Sequence, residues 1–334
     1  MKTRPLGRSG LEVSVLGLGG NTFGPPRIDA VTTTQIIHAA LDRGINFIDT
    51  AIGYGRGESE RYVGAALRGR RDEAVVATKF NFMDLDGDPV ERIRAQCDES
   101  LGKLQTDRID LLQVHLPSDV IGTDELLAAL AGLVDAGKIR AYGASNYASW
   151  RLAESAGRAR SLGVANFATV QNHYSLLYRR PEHELAQACQ RYGVALIPFH
   201  PLAGGVLTGK YRPGTEPPPG TRGAAGSVIV GAMNTERNWP IVSALARFAA
   251  QRGHTLTELA LAWLIAKPFV GTVITGLSNV GQLEQNVAGS EWELTDDEVR
   301  AIDELADTGD VTPTENHITQ GRQLPRSEKV HEHG

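Results

Sequence analysis

Four side chains within the first 115 residues form a chemical set: Asp49, Tyr54, Lys79 and His115. Asp49 and Lys79 each close an apolar run, NFIDT (46–50) and AVVATK (74–79), where a charge is costly unless it is paired. A tyrosine with a pKa of about 10 is a poor acid at neutral pH, and burial alone raises it further. A neighbouring ammonium lowers it toward the range useful for proton transfer. The carboxylate keeps that ammonium charged and fixed, and a histidine beside them can donate to a substrate oxygen and orient it. Such a set suits protonating a carbonyl oxygen while hydride arrives at its carbon. None of the four can carry a hydride, so a nicotinamide is implied.

The elements that must position them follow one repeat: a short β-branched run, a Gly-rich or polar joint, then a helix-period segment. Strands are predicted at 13–19, 46–50, 74–79, 109–115, 139–145, 167–172, 194–199 and 270–276. Many intervening helical segments end at Gly, a helix-stop signal. Alternation of this kind means right-handed crossovers and a parallel sheet. Eight strands are the number that closes a (β/α)8 TIM barrel. A doubly wound sheet is the rival, but Gly17-Leu18-Gly19 is followed by Thr22 where its nucleotide fingerprint needs a third glycine. The barrel is therefore expected, as one domain over residues 1–309 with a polar tail over 310–334. Residues 1–12 read as a hairpin turning at Arg8-Ser9-Gly10 that plugs the barrel floor. The Gly/Pro-rich stretch 203–238 is too long for an ordinary connection, which marks it as functional or mobile.

Barrel active sites occupy the C-terminal ends of the strands. The polar residues expected there are Asp49, Lys79, His115, Ser145-Asn146, Gln171-Asn172, His200 and Ser278-Asn279, with Tyr54 in the loop after Asp49. A formal charge of −5 lacks the basic excess that a nucleic-acid binder needs. Two cysteines, Cys97 and Cys189, are too few for a disulfide scaffold. The opening MKTRPLGRSG has no apolar core of signal type, and LALAWLIA (259–266) falls short of the roughly 20 residues of a membrane helix. A cytoplasmic protein acting on a small molecule is the expectation, with no membrane or nucleic-acid partner and no resident metal.

These residues sit in an ordered series of motifs: GINFIDTAIGYG (44–55), VVATKF (75–80), DRIDLLQVH (107–115), GASN (143–146), VQNHYSLLYR (170–179), PFHPLAGGVLTGKY (198–211) and ITGLSNVGQLEQN (274–286). Through them the chain resembles the aldo-keto reductases over almost its whole length. The resemblance implies an NAD(P)H-dependent reductase of aldehydes or ketones. Tyr54 would be its general acid, Lys79 the cation that lowers the tyrosine's pKa, Asp49 the anchor of Lys79, and His115 the group orienting the carbonyl. It also implies a cofactor lying extended over the barrel mouth. Ser145, Asn146 and Gln171 would hold the carboxamide, and Phe199 would stack on the nicotinamide ring. Pro201, Leu202, Ala203 and Gly204, with Lys210 and Arg222, would cover the pyrophosphate. Gly276, Ser278, Gln282, Gln285 and Asn286 would receive the adenosine end, where an opening helix favours phosphate. Asn21 and His200 would join Tyr54 and His115 along the substrate. NADP(H) is the expected cofactor and NAD(H) remains possible, because Leu277-Ser278-Asn279 lacks the basic residue many relatives place there.

Blander readings stand beside these. Asp49 and Lys79 alone could be a structural ion pair, and His115 alone a satisfied core histidine. His173 and His200 could be structural or substrate-lining, Cys97 reads as core, and the Arg68-to-Arg71 cluster reads as a solvated helix end. The terminal His331-Glu332-His333 could bind metal but is more simply a solvated tail. Two other functions are open. One is an NADP-binding regulatory subunit resembling the potassium-channel β subunits. The other is a metal-dependent barrel hydrolase using Asp49, His115 and His200, against which Lys79 would repel a nearby cation. Substrate, reaction direction and oligomeric state are not legible.

Overall fold

In the computed structural model residues 1–83 and 87–307 are described; the expected tail, with His331 to His333, lies outside them. A two-stranded antiparallel hairpin, β1 (Thr3–Pro5) and β2 (Glu12–Ser14), opens the chain. Eight parallel strands follow: β3 (Leu16–Gly19), β4 (Phe47–Asp49), β5 (Val75–Phe80), β6 (Ile109–Val114), β7 (Ile139–Ser145), β8 (Thr169–His173), β9 (Ala195–Phe199) and β10 (Val273–Thr275). They pair in the order β10-β3-β4-β5-β6-β7-β8-β9. At the remaining seam Leu196 forms a parallel bridge to Val270, its N–H donating to the Phe269 carbonyl and its own carbonyl accepting from Gly271, both at 2.8 Å. The ring is thus drawn together as the (β/α)8 barrel expected.

Helices fill the connections and bury their apolar faces on the outside of the ring. Ala30–Leu41, Ser59–Ala66, Pro89–Leu104, Thr123–Asp135, Ser149–Leu162 and Leu185–Tyr192 each follow one strand, and Val280–Glu291 follows β10. The β9–β10 connection carries Val228–Met233, Asn238–Ala250 and Leu256–Ala266, so the Gly/Pro-rich stretch holds a short helix and a 3-10 turn, Ala203–Thr208. Leu256–Ala266 is apolar on nearly every face because it is buried on nearly every face, with Trp263 at its centre. Among the described residues no helix is long and apolar enough to cross a membrane.

The interior of the ring is a separate apolar layer. Phe47, Val75, Ala77, Leu111, Ala141, Ala168, Ala195, Ile197 and Ile274 point inward, and Leu6, Leu11 and Val13 of the hairpin close it from below. The floor plug expected for residues 1–12 is therefore present, although the strand predicted at 13–19 divides. Its first residues pair in the hairpin, and Val15 turns the chain into β3. A continuous β-branched run hides that corner. Gly7 makes the fit possible: its φ is +57°, and an added Cβ would lie 2.2 Å from the Ala168 carbonyl oxygen.

Another correction concerns the Arg68-to-Arg71 cluster. Arg68 and Arg70 are surface groups, but Arg71 reaches Asp110 at 2.6 Å, and Asp110 is 1 % exposed at the start of β6. Arg140 meets the other oxygen of Asp110 at 3.0 Å, so this carboxylate is paired on both sides. Cys97 is core, as expected, and burial pushes its thiol up to about 11.

Candidate active site

Side chains alternate across a strand with a period of two, so the inward residues above the apolar layer can be counted off. One step above Phe47 is Asp49, above Ala77 is Lys79, and above Leu111 is Gln113 with His115 one step further. The count on β9 gives Phe199, and on β8, which begins one residue after Ala168, Thr169 and Gln171 turn inward to bond Gln113 and Asp49, with His173 two steps further on. The fold therefore stacks a polar layer directly on the apolar one at the C-terminal mouth.

At its centre the Lys79 ammonium donates to both Asp49 oxygens, at 2.8 and 2.6 Å, and to the Thr50 carbonyl at 2.8 Å. Lys79 is 0 % exposed. Burial on its own would lower the lysine pKa, but the Asp49 carboxylate, with Tyr54, outweighs it and the pKa is raised. The ammonium is therefore held charged. Asp49 also accepts from the Gln171 amide at 2.8 Å and from Gln113 at 3.3 Å. Tyr54 lies over this pair, with Lys79 Nζ 5.0 Å from its ring centroid. His115 meets Tyr54 edge to face, centroids 5.6 Å apart. The four expected residues are thus gathered in one cluster, and Tyr54 and His115 are its partly exposed members. A phenol in contact with a buried ammonium and open to the mouth can give up or take a proton. With both Asp49 oxygens on Lys79, the hydrolase alternative loses its first ligand.

Around the cluster the backbone takes up unusual conformations. Asn146 (φ +62°), His200 (φ +53°) and Ala203 (φ +50°) are left-handed without being glycine. Strain of this kind collects where side chains are aimed for a purpose. Asn146 donates to the His115 carbonyl and to Ser145 Oγ, both at 3.0 Å, and Ser145 donates to the Gln171 carbonyl at 2.9 Å. The three residues expected at a carboxamide are thus joined to each other and, through Gln171, to Asp49.

The expected cofactor residues do not all lie alike. Phe199 faces the barrel interior; Pro201 and Gly204 are buried and Leu202 is half-buried. Lys210 is exposed and sits against Gly205. Arg222 is largely buried, and burial, with Arg27 nearby, pushes its pKa down. Among the described residues no carboxylate is paired with it. A Cβ on Gly276 would lie 2.9 Å from Asn21 Oδ1 and 3.2 Å from an Arg222 nitrogen. Strand end, first loop and long loop thus converge there, with an uncompensated cation, a glycine that leaves the space to neighbouring side chains, and a polar amide. Such a cradle suits an anionic ligand segment. It also gives Asn21 neighbours other than the expected substrate side: it lies beside Gly276 and Arg222.

At the next helix the N-cap is Asn279. The Asn279 side chain accepts from Gln282 N at 3.0 Å, and the Gln282 side chain accepts from Ser278 N at 2.8 Å. Ser278, Gln282 and Gln285 are exposed, whereas Asn286 is buried. The structure adds the surroundings of His173. His173 stacks on Tyr178, centroids 4.1 Å apart, and lies near-parallel to Phe199 at 5.8 Å. Both its ring nitrogens are buried without a hydrogen-bond partner, and burial holds its pKa well below 6.5. Only its inward register on β8 could have revealed it. Its neighbour His200 is held to about 4 by burial and by Arg222.

Comparison with known proteins agrees with this geometry. The Aldo/keto reductase family matches residues 15–307. The chain is 34 % identical to "Aldo-keto reductase AMT2" of Alternaria alternata, over 90 % of each chain. It is 33 % identical to "Norsolorinic acid reductase stcV" of Emericella nidulans, over 89 % of this chain and 79 % of that one. It is 32 % identical to "Protein tas" of Escherichia coli, over 91 % and 97 %. With a buried lysine–aspartate pair beneath a tyrosine at a barrel mouth and a match from residue 15 to residue 307, the chain belongs to the aldo/keto reductase family.

Proposed function

We propose that this oxidoreductase reduces an aldehyde or ketone with NADPH, and that Tyr54 delivers the proton. The observation that carries the reading is the charged, 0 % exposed Lys79 bonded to Asp49 and in contact with the Tyr54 ring. In it Asp49 anchors Lys79, and the ammonium favours the phenolate, so Tyr54 can lose its proton to the developing alkoxide. His115, edge-on to Tyr54, orients the carbonyl oxygen toward the phenol. The nicotinamide, when bound, supplies the hydride. Ser145, Asn146 and Gln171 are the residues that would hold its carboxamide, and Phe199 its ring. Arg222, beside Gly276, would meet the phosphates, together with the Pro201–Gly204 loop and Lys210. Ser278, Gln282, Gln285 and Asn286 would meet the adenosine end. The buried Arg222 without a carboxylate supports an anionic ligand in that cradle. His200 and Asn21 would border the substrate or the cofactor beside it.

The test is Tyr54→Phe. Nucleotide binding should persist, and turnover of an aldehyde panel should fall by about 10²–10⁴, the usual worth of general acid catalysis. Turnover within about threefold of wild type, well below that range, rejects Tyr54 as the acid.

A further inference from the structure

Tyr54 does not stand on a strand. It begins a turn, Tyr54–Gly57, in which Gly55 (φ +58°) and Arg56 (φ +60°) are both left-handed, and the turn runs into the helix Ser59–Ala66. A turn of that shape would move readily unless something held its far end. Two consecutive residues do. Ser59 Oγ donates to the Gly20 carbonyl at 2.9 Å and shares a hydrogen bond with Thr50 Oγ1 at 2.7 Å. The Glu60 carboxylate accepts from Thr78 Oγ1 at 2.6 Å. Thr50 follows Asp49 in the chain and Thr78 precedes Lys79. Each bond therefore ties the Tyr54 segment to the immediate neighbour of one half of the ion pair. Thr50 is engaged twice, since its carbonyl also accepts from Lys79.

Packing alone would not select these residues. Ser59, Glu60, Thr50 and Thr78 are all 0 % exposed, and among the described residues the second Glu60 oxygen has no close hydrogen bond, with Lys103 Nζ 4.0 Å away. Burial raises the Glu60 pKa, and the hydroxyls of Thr78 and Ser100, with the Lys103 charge, offset part of that rise. Burying a carboxyl is unfavourable, and an apolar side chain would fill the space at less cost. What an apolar side chain cannot do is bond to the strand that carries Lys79.

We infer that Ser59 and Glu60 are positioning residues that lock the Tyr54 turn to the ends of β4 and β5 and so set the Tyr54–Lys79 contact. The inference rests on Tyr54 being the proton donor. It names residues that touch neither cofactor nor substrate, acting through the separation of phenol and ammonium. Loosening the lock lets the turn drift from Lys79, weakening the cation's hold on the phenol and slowing proton delivery with little change in binding.

Thr78→Val is the primary variant because it is nearly isosteric and deletes only the donor to Glu60; Ser59→Ala and Glu60→Leu accompany it, with Glu60→Gln as the conservative rescue. Each is assayed with NADPH and 4-nitrobenzaldehyde for kcat, KM, the pH profile of kcat and the solvent isotope effect, and for NADPH affinity by nucleotide fluorescence. The expected result is a fall in kcat of about tenfold or more, within what mispositioning a catalytic group costs. KM and NADPH affinity should stay within about twofold of wild type, since only the chemical step is touched. The pH limb assigned to Tyr54 should move upward and the solvent isotope effect should grow. Glu60→Gln, which still accepts from Thr78, should recover most of the kcat lost in Glu60→Leu. A merely structural role would lower the melting temperature and leave the pH limb and isotope effect in place, which overturns the inference. Unchanged kcat in Thr78→Val and Ser59→Ala, with Tyr54→Phe inactive, also overturns it while leaving Tyr54 as the acid. An active Tyr54→Phe would remove both.

Discussion

Replacing Lys79 with Met separates two roles of one side chain. Among the described residues the ammonium is the only cation on the Asp49 carboxylate, at 2.6 and 2.8 Å, and removing it strands a buried charge. Stranding one member of a buried pair costs about 3–5 kcal/mol. Asp49 keeps its bonds from Gln171 (2.8 Å) and Gln113 (3.3 Å), which favours the low end of that range. At roughly 2–4 °C per kcal/mol for large domains, about 3 kcal/mol lowers the melting temperature by about 6–12 °C. Pairing Lys79→Met with Asp49→Asn removes the stranded charge, and neutral replacement of a buried pair is often close to neutral in stability. The double variant should therefore regain at least half of the lost melting temperature. Activity should not return with it: both variants lack the cation that acidifies Tyr54 and should remain about a hundredfold or more below wild type. Thermal unfolding and NADPH oxidation on the same preparations give both quantities. A double variant as unstable as the single one would refute the charge-compensation argument. A double variant with near-normal turnover would refute the role given to the ammonium.

Other outcomes follow from the mouth and the floor. Arg222→Ala should weaken NADPH and NADH together, whereas Ser278→Ala should narrow a wild-type NADPH preference of about ten- to a hundredfold, or ~1.4–2.8 kcal/mol, in kcat/KM. A wild-type preference for NADH would overturn the assignment of residues 278–286 to a 2′-phosphate. His200 protonates at about 4 in the fold against 6.5 when exposed, so the unfolded chain binds the proton first as pH falls. Its contribution to stability is complete above pH 6.5 and is lost as pH drops toward 4; urea midpoints of His200→Asn should fall less steeply than wild type over that window, and parallel slopes would count against it. Gly7→Ala should cost about 2 kcal/mol or more, since the left-handed φ and the clash with the Ala168 carbonyl act together; a variant melting like wild type would show that the plug can shift.

The eight strands were legible because each barrel strand is a short β-branched run between a helix stop and a polar joint. The four residues at the centre were legible for a related reason: charges ending apolar runs must find partners. What escaped reading depends on partners distant in the chain or on backbone geometry. Arg71 looked like one more surface arginine because its acceptor, Asp110, lies 39 positions away at the start of an apolar strand. That Asn279 caps its helix, its side chain accepting from Gln282 N, is set by backbone geometry that Leu277-Ser278-Asn279 does not reveal. Ser59 and Glu60 resemble an ordinary acidic first helical turn, and only the register of β4 and β5 turns them inward. His173 was left between structural and substrate-lining because nothing in its neighbours along the chain indicates the stack with Tyr178.

The floor hairpin has a consequence for how this chain must be made. Its residues are made before every strand of the barrel, yet what they rest on is synthesised late. Arg4 donates to the carbonyls of Val270 (2.8 Å) and Ile265 (3.0 Å), and Gly7 seats against Ala168 and Ala195. The ring edge that β3 offers likewise waits for β10. Through most of translation, then, Leu6, Leu11 and Val13 have no floor to occupy and an unpaired strand edge stands beside them, the sort of surface that invites misassociation. The nascent chain can store helices and neighbouring parallel pairs from β3 to β9, but the vessel acquires its bottom and its last seam in the same late event, when residues 265–275 emerge.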